Sequence, residues 1–291
     1  MGGLHRPADL PERRPRALYE FKMRELRPSL RRGDSGAVTV TTVAPGPALA
    51  AYLRSFEIVE TRAPISRVLL PEPGLVLGVR YAGASSADGA SIPTGAAVLT
   101  GLRVKARRMA TEGGSGVVVA KFTETGAAAL LDPPLHELFG DVLPLDQLLP
   151  ASEVERLVDE VRRSADPAGR VAAMERFVSS RLRPRLDPLV ERALSLLRAS
   201  GGSVRIADLA RRLGVSQEVL EKRFRRQVGA TPRQFASILR FRRAVEVHRS
   251  ARDLGTLALE AGYYDQAHFN RQFRFITGSA PGALLTSEEY C

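Results

Sequence analysis

Residues 261–281 read AGYYDQAHFNRQFRFITGSAP, and residues 209–232 read LARRLGVSQEVLEKRFRRQVGATP. The two stretches align. Ala210 and Gly214 match Ala258 and Gly262, while Phe224, Gly229 and Pro232 match Phe273, Gly278 and Pro281 at a constant shift of 49. One extra residue falls just after Gly262, in a turn, where an insertion costs least. The later copy is unusual for this chain. It places five aromatic, three arginine or histidine and three amide side chains in 21 residues of a protein without tryptophan.

Each copy has the physics of two short helices joined by a turn. An amphipathic helix (IADLARRL; LGTLALEA) ends at a glycine able to take a left-handed backbone. Ser216 and Asp265 then stand as N-caps of a second helix. Within those second helices Val219, Leu220, Phe224 and Val228 are expected on one face of the first copy, and Phe269, Phe273 and Ile276 in the second. Gln217, Glu218, Glu221, Lys222 and Arg225, and Gln266, Asn270, Arg271 and Arg274, are left to project outward. The aromatics of 261–281 therefore read mostly as core. Between the copies, TPRQFASILRFRRAVEVHRS repeats Phe235, Ile238, Leu239, Arg242 and Val245 at helical spacing. An 18-residue helix there spans ~27 Å. Such a rod can hold two recognition helices about one DNA turn, ~34 Å, apart on one face of a duplex without a dimer.

Charge supports a polyanionic partner. The chain carries 43 Lys+Arg against 32 Asp+Glu, a net charge of +11. Residues 181–291 hold 20 basic and 11 acidic side chains, residues 33–180 hold 14 and 17, and residues 1–32 hold 9 and 4. The excess therefore sits in the helical third and in a short amino-terminal tail. Residues 1–33 have no apolar signal-peptide core and read as a disordered basic tail, with Met23 an alternative start. No run of about 18 apolar residues predicts a membrane span. The single cysteine, Cys291, forms neither an internal disulfide nor a cysteine-rich zinc site, which suits a reducing cytoplasm. His5, His136, His248 and His268 lack metal-ligand spacing, so neither a metal nor any other cofactor is expected.

Upstream of the repeat, residues 34–150 read as a β-rich regulatory domain. AVTVTTVA, ISRVLL, LVLGVRY, AAVLTGLRV and SGVVVAKF are short strand-like runs, suggesting a small barrel or sandwich. PEPG (71–74), AGASSADGAS (82–91) and EGGSG (112–116) read as turns or loops; the glycine-rich run around 83–95 lacks the GK[ST] of a phosphate loop. GAAALLD reads as a short helix. Residues 151–186 form a helical connector: Ser152 and Glu155 suggest a capping box, followed by a stripe of Val154, Leu157, Val158 and Val161. A second helix carries Val171, Met174, Phe177, Val178 and Leu182. Two apolar stripes that need burial predict homodimerisation through 153–183. Asp187-Pro188 then caps a helix that opens the all-helical domain, 187–291. The fold class is thus α+β and multi-domain.

Tandem helix-turn-helix units joined by a long helix, with Ala258, Gly262, Tyr263, Phe269, Arg271, Phe273, Arg274, Gly278 and Pro281 in a recurring pattern, resemble the AraC/XylS class of bacterial transcriptional regulators. The likeness covers about residues 187–286. RVLLPEPGLVLGV, GVVVAKFTETGAAALL and LPLDQLL also resemble a β-rich domain found on some of these regulators. The resemblance implies a sequence-specific, promoter-binding regulator that is not an enzyme, with RNA polymerase as a further partner and a small effector in the β-rich half. It implies base-edge contacts from Glu218, Glu221 and Lys222 in the first copy, and from Gln266, Ala267, Asn270 and Arg271 in the second. Two positions depart from the pattern: Leu284-Leu285 replaces the usual tyrosine-arginine, and Tyr263 the usual phenylalanine. Glu218 and Glu221 are acids on a surface that faces phosphates; they suit cytosine amino groups or weaken that half. Two other readings stand beside this one. In the first, the β-rich half is only a protein-interaction or dimerisation module. In the second the chain is an alkylation-repair regulator, which needs a reactive thiolate that a lone terminal Cys291 does not provide.

Overall fold

The strand-rich half folds because its β-branched runs alternate buried and exposed side chains. In the computed structural model, which describes residues 36–131, 134–183, 187–248, 251 and 253–285, ten strands form two antiparallel sheets. The larger is ordered β1 (Val38–Val43), β2 (Leu53–Thr61), β9 (Ser115–Phe122), β4 (Val76–Ala82), β7 (Ala97–Thr100), β10 (Val142–Pro144). The smaller is ordered β3 (Ile65–Leu69), β8 (Arg107–Thr111), β5 (Ser85–Ala87), β6 (Ala90–Ile92). Phe56, Ile58, Leu77, Val79, Val118, Ala120 and Phe122 line the inner face of the larger sheet and are all but inaccessible.

Several sequence expectations change here. AGASSADGAS is a hairpin, not a loop: Asp88 and Gly89 take φ of 49° and 88°, and Ala87 pairs with Ala90 across them. A two-residue Asp-Gly turn with both φ positive matches the twist of the strands it joins. The strand expected to run through 96–104 ends at Thr100. β2 escaped notice because the register shifts between Leu53 and Ser55, which breaks the alternation on which a strand is recognised. GAAALLD forms a 3-10 turn over Gly126–Ala129. The tail 1–33 and Cys291 lie outside the described residues.

Helices follow. α1 (Ala151–Arg163) starts one residue before Ser152, with Pro150 at the N-cap and no side-chain cap, so the expected capping box does not form. α2 (Pro167–Arg181) is capped by Asp166, which accepts from the Gly169 amide at 2.7 Å. Val154, Leu157 and Val161 of α1, with Val171, Met174 and Val178 of α2, belong to the same core as Leu77 and Val118. Their stripes are therefore buried against the larger sheet of their own chain. The reason for expecting a second copy at 153–183 is removed.

α3 (Pro188–Ala199) follows Asp187, whose side chain accepts from the Leu189 amide at 2.9 Å. Then come α4 (Ile206–Arg212), α5 (Gln217–Val228), α6 (Pro232–Val247), α7 (Leu254–Glu260), α8 (Gln266–Thr277) and α9 (Pro281–Leu285). α6 has 16 residues rather than the 18 expected. Its buried stripe runs Phe235, Ile238, Phe241, Ala244, leaving Arg242 at the edge.

Candidate nucleic-acid interface

Two bihelical units, α4–α5 and α7–α8, are built from matching local signals. Gly214 and Gly262, the turn glycines, have φ of 69° and 84°. The Ser216 hydroxyl accepts from the Val219 amide at 3.2 Å, and the Asp265 carboxylate from the His268 amide at 2.6 Å, satisfying donors that a helix start leaves open. Both second helices end on a left-handed glycine, Gly229 and Gly278. Pro232 follows one of these, where Thr231 and Gln234 close a reciprocal capping box on α6. Asp253 caps α7, accepting from the Thr256 amide and hydroxyl and from the Gly255 amide; those bonds hold its carboxyl below the usual range.

Packing fixes which side of each second helix can meet a partner. Leu220, Phe224 and Val228 are buried, with Phe224 edge-on to Phe235 at 5.6 Å. In the second unit Phe269, Phe273 and Ile276 are buried, and the rings of Phe241, Phe269, Phe273 and Tyr263 form a continuous series 5.1–5.5 Å apart. Edge and tilted contacts of this kind add stabilisation beyond area alone.

On the opposite surfaces Gln217, Glu218, Lys222 and Arg225 of α5 are exposed and Glu221 is half-buried. Gln266, Ala267, Arg271 and Arg274 of α8 are exposed. Asn270 is half-buried, and its Oδ1 is shielded from water without a hydrogen-bond partner. Among the described residues none of Lys222, Arg225, Arg271 and Arg274 sits in a salt bridge. By contrast Arg223, one position on, is held by the Asp187 carboxylate through two contacts of 2.6 Å and is not free for another anion.

The sequence misassigned some apolar positions. Val219, expected in the core, is 43% exposed, since on a helix it falls outside the arc of Leu220, Phe224 and Val228. Tyr264 and Phe275 are 86% and 56% exposed, so two of the five aromatics in 261–281 are surface groups. Helical periodicity places Phe275 opposite Phe273 and Ile276, a signal that was available but masked by the aromatic density around it. Among the described residues no group of three or more His, Cys, Asp or Glu side chains is placed to hold a metal ion, and no helix is long and apolar enough to cross a membrane.

Comparison with known proteins bears on this geometry. Residues 209–287 match the family model of a helix-turn-helix domain, the span of both units. No curated protein matches the chain. Among solved structures, ToxT from Vibrio cholerae is similar at 12% identity, over 86% of this chain and 98% of that one, with a TM-score of 0.44. The C-terminal domain of AraT, a response regulator from Geobacillus stearothermophilus, is 24% identical over 36% of this chain and 93% of its own, with a TM-score of 0.33. A Chromobacterium violaceum transcriptional regulator described by its AraC-type DNA-binding domain is 25% identical over 35% of this chain and 95% of its own, with a TM-score of 0.30. Two capped bihelical units with outward polar faces coincide with that family model, and residues 209–287 are a helix-turn-helix domain.

Proposed function

We propose that the protein recognises a promoter by placing α5 and α8 in successive major grooves. The observation that carries the reading is that two cores bury the apolar arcs of both helices and leave unpaired cations outward on each, with one helix, α6, between them. Sixteen residues of α6 span about 24 Å. In this reading Arg271 contacts guanine or phosphate, and Gln266, Ala267 and Asn270 meet base edges. Glu218, Glu221 and Lys222 serve the first half-site, flanked by Gln217 and Arg225; Arg274 flanks the second. The chain acts as a non-enzymatic regulator: the β-rich half adjusts occupancy in response to a small effector or alters contact with RNA polymerase.

The test is selection of bound sequences from random duplex DNA, followed by binding across salt concentrations. The expected outcome is a two-part motif with half-sites one helical turn apart. Log affinity should fall linearly with log salt, with a slope of about −0.9 per phosphate neutralised. Binding that selects no sequence, or that ignores salt, would falsify this reading.

A further inference from the structure

A cleft of about 960 Å³ lies between the smaller sheet and the helical domain, and none of the outward α5 and α8 residues named above lines it. Its walls are the segment Arg103–Arg107, the first half of α6 and one side of α8. Five cations line it: Arg103, Lys105, Arg107, Arg233 and Arg240, with His268 beside them. The one acid in the lining, Asp88, pairs with Arg107 at 2.9 Å. Among the described residues the other four cations have no salt bridge. Arg103 donates only to the carbonyls of Lys105 and Leu69.

The chain therefore holds five cations together with fewer acids than charges: Asp88 pairs with Arg107, and Glu72 and Asp88 favour the charged Arg103 without a salt bridge to it. Burial, and then the neighbouring Arg107, push the Arg103 guanidinium down to about 10; burial also lowers that of Arg240. Two polar atoms near the cleft are unsatisfied as well. Arg240 Nε is sheltered without a partner, and so is the hydroxyl of Tyr263, a residue 4% exposed whose ring lies 5.9 Å from the Arg240 guanidinium. Buried polar groups ordinarily find partners, so the unsatisfied Arg240 Nε, whose side chain lines the cavity, points to a ligand. The cleft also has an aromatic side: the Phe275 ring, with Lys105 Nζ 5.3 Å over it, and Phe139.

We propose that this cleft binds a phosphate-bearing small molecule of nucleotide size, its phosphates on Arg240, Arg233 and Lys105 and its planar part against Phe275. Several uncompensated charges match a multiply charged anion better than a single carboxylate, and guanidinium forks pair with phosphate oxygens two at a time. The volume falls in the range of cofactor and ligand sites. This goes beyond the DNA reading and does not rest on it.

The experiment is calorimetric titration of the full chain, at low salt and without DNA, using adenosine triphosphate, inorganic tripolyphosphate and adenosine. The expected result is saturable one-site binding of the triphosphate, weaker binding of tripolyphosphate and none of adenosine. Lys105→Gln with Arg233→Gln, two exposed positions, should weaken the triphosphate at least tenfold without moving the melting curve. Arg163→Gln with Arg176→Gln, on the exposed side of the connector helices, should change nothing. Phe275→Ala should bring the triphosphate down to the affinity of tripolyphosphate. Non-saturating binding, or equal loss in both double variants, would mean diffuse electrostatics and overturn the proposal. So would a result in which only duplex DNA responds to Lys105 and Arg233, which would assign these cations to the DNA backbone. Failure of the unmodified chain to bind promoter DNA, with saturable triphosphate binding intact, would count against the DNA reading alone.

Discussion

The two helix-turn-helix units share a plan but not a foundation. Leu220, Phe224 and Val228 of the first belong to the core that also holds Phe56, Leu77 and Val118 of the larger sheet. The turn Leu135–Leu138 lies directly against the end of α5. Phe269, Phe273 and Ile276 of the second sit in a separate, smaller core, to which the β-rich half contributes only Val68 and Leu70 among its buried residues. One backbone hydrogen bond, from the Ala106 amide to the Ile276 carbonyl at 2.7 Å, one ion pair, Arg242 to Glu72 at 3.7 Å, the partly buried Val104 and Ala106, and Lys105 over the Phe275 ring add to the contact on that side. The two copies thus differ: α5 shares its core with the β-rich half, whereas α8 sits in a smaller core to which that half adds little. A unit with fewer buried contacts opens locally at lower cost, which is where a regulatory input has leverage.

The sharpest way to break this contrast is to hollow each core at the equivalent ring. Phe224→Ala and Phe273→Ala should each destabilise by roughly 3–5 kcal/mol. Their reach should differ. In hydrogen exchange Phe224→Ala should cost protection in β9 and α5 together, because they share one core. Phe273→Ala should deprotect 254–285 and leave β9 intact. Equal loss in β9 from both would show that the two cores are one cooperative body.

The next handle is Glu72, in the PEPG turn. Burial alone would raise its carboxyl, but Lys121, Arg242 and Arg54 together outweigh burial and hold it at about 2. A folded-state value below the ordinary 4.5 means that its stabilisation is complete above about pH 4.5 and is lost as pH falls toward 2. Glu72→Gln should remove roughly 2–3 kcal/mol at neutral pH. It should also flatten the decline of the urea midpoint between pH 5 and pH 3, and loosen α6 and α8 more than α5. An unchanged acid profile in the variant would assign acid sensitivity elsewhere.

How far the sequence disclosed this arrangement differs between the halves. The repeat is local: caps, turn glycines and helical arcs lie within a few residues of one another, so Ser216, Asp265, Gly229 and Gly278 could be assigned from the chain alone. Val219 was misread because one apolar residue beside an arc looks like part of it. The β-rich half was less legible. Its pairings are long-range, its register shifts at Leu53, and the Asp88–Gly89 hairpin was hidden in small polar residues resembling a loop. Least visible was where the connector stripes go. Periodicity shows that Val154 and Met174 need cover, yet says nothing of whether a sheet or a second copy supplies it. The cationic cleft had no signature either, because its cations converge from segments about 130 residues apart.

On the proposed DNA-facing sides of α5 and α8 the comparison predicts unequal half-sites. Arg271→Ala should cost about 1–3 kcal/mol in binding and relax specificity within one half-site. Lys222→Ala should cost less, because Glu218 and Glu221 stand beside it and already oppose phosphate. Binding to operators altered in one half at a time would measure both. A larger loss from Lys222→Ala would reverse the ranking of the two units.

The smallest and most local test uses the two glycines that end α5 and α8. Gly229 and Gly278 have φ of 89° and 76°, so an alanine at either meets the same left-handed strain, about 1–2 kcal/mol. Their surroundings differ. A Cβ on Gly278 would meet nothing within 4 Å, whereas one on Gly229 would lie 3.1 Å from the Leu135 carbonyl oxygen and 3.2 Å from its Cβ. Gly278→Ala therefore reports backbone strain alone. Gly229→Ala reports strain plus displacement of the 135–138 turn, and should lower the melting temperature further. The difference between the two variants isolates the contact that joins the first unit to the β-rich half. If that contact is what makes the first unit rigid, only Gly229→Ala should raise hydrogen exchange at Leu135–Leu138; equal melting temperatures and an undisturbed turn would mean that α5 is held by its own core and needs nothing from the turn beside it.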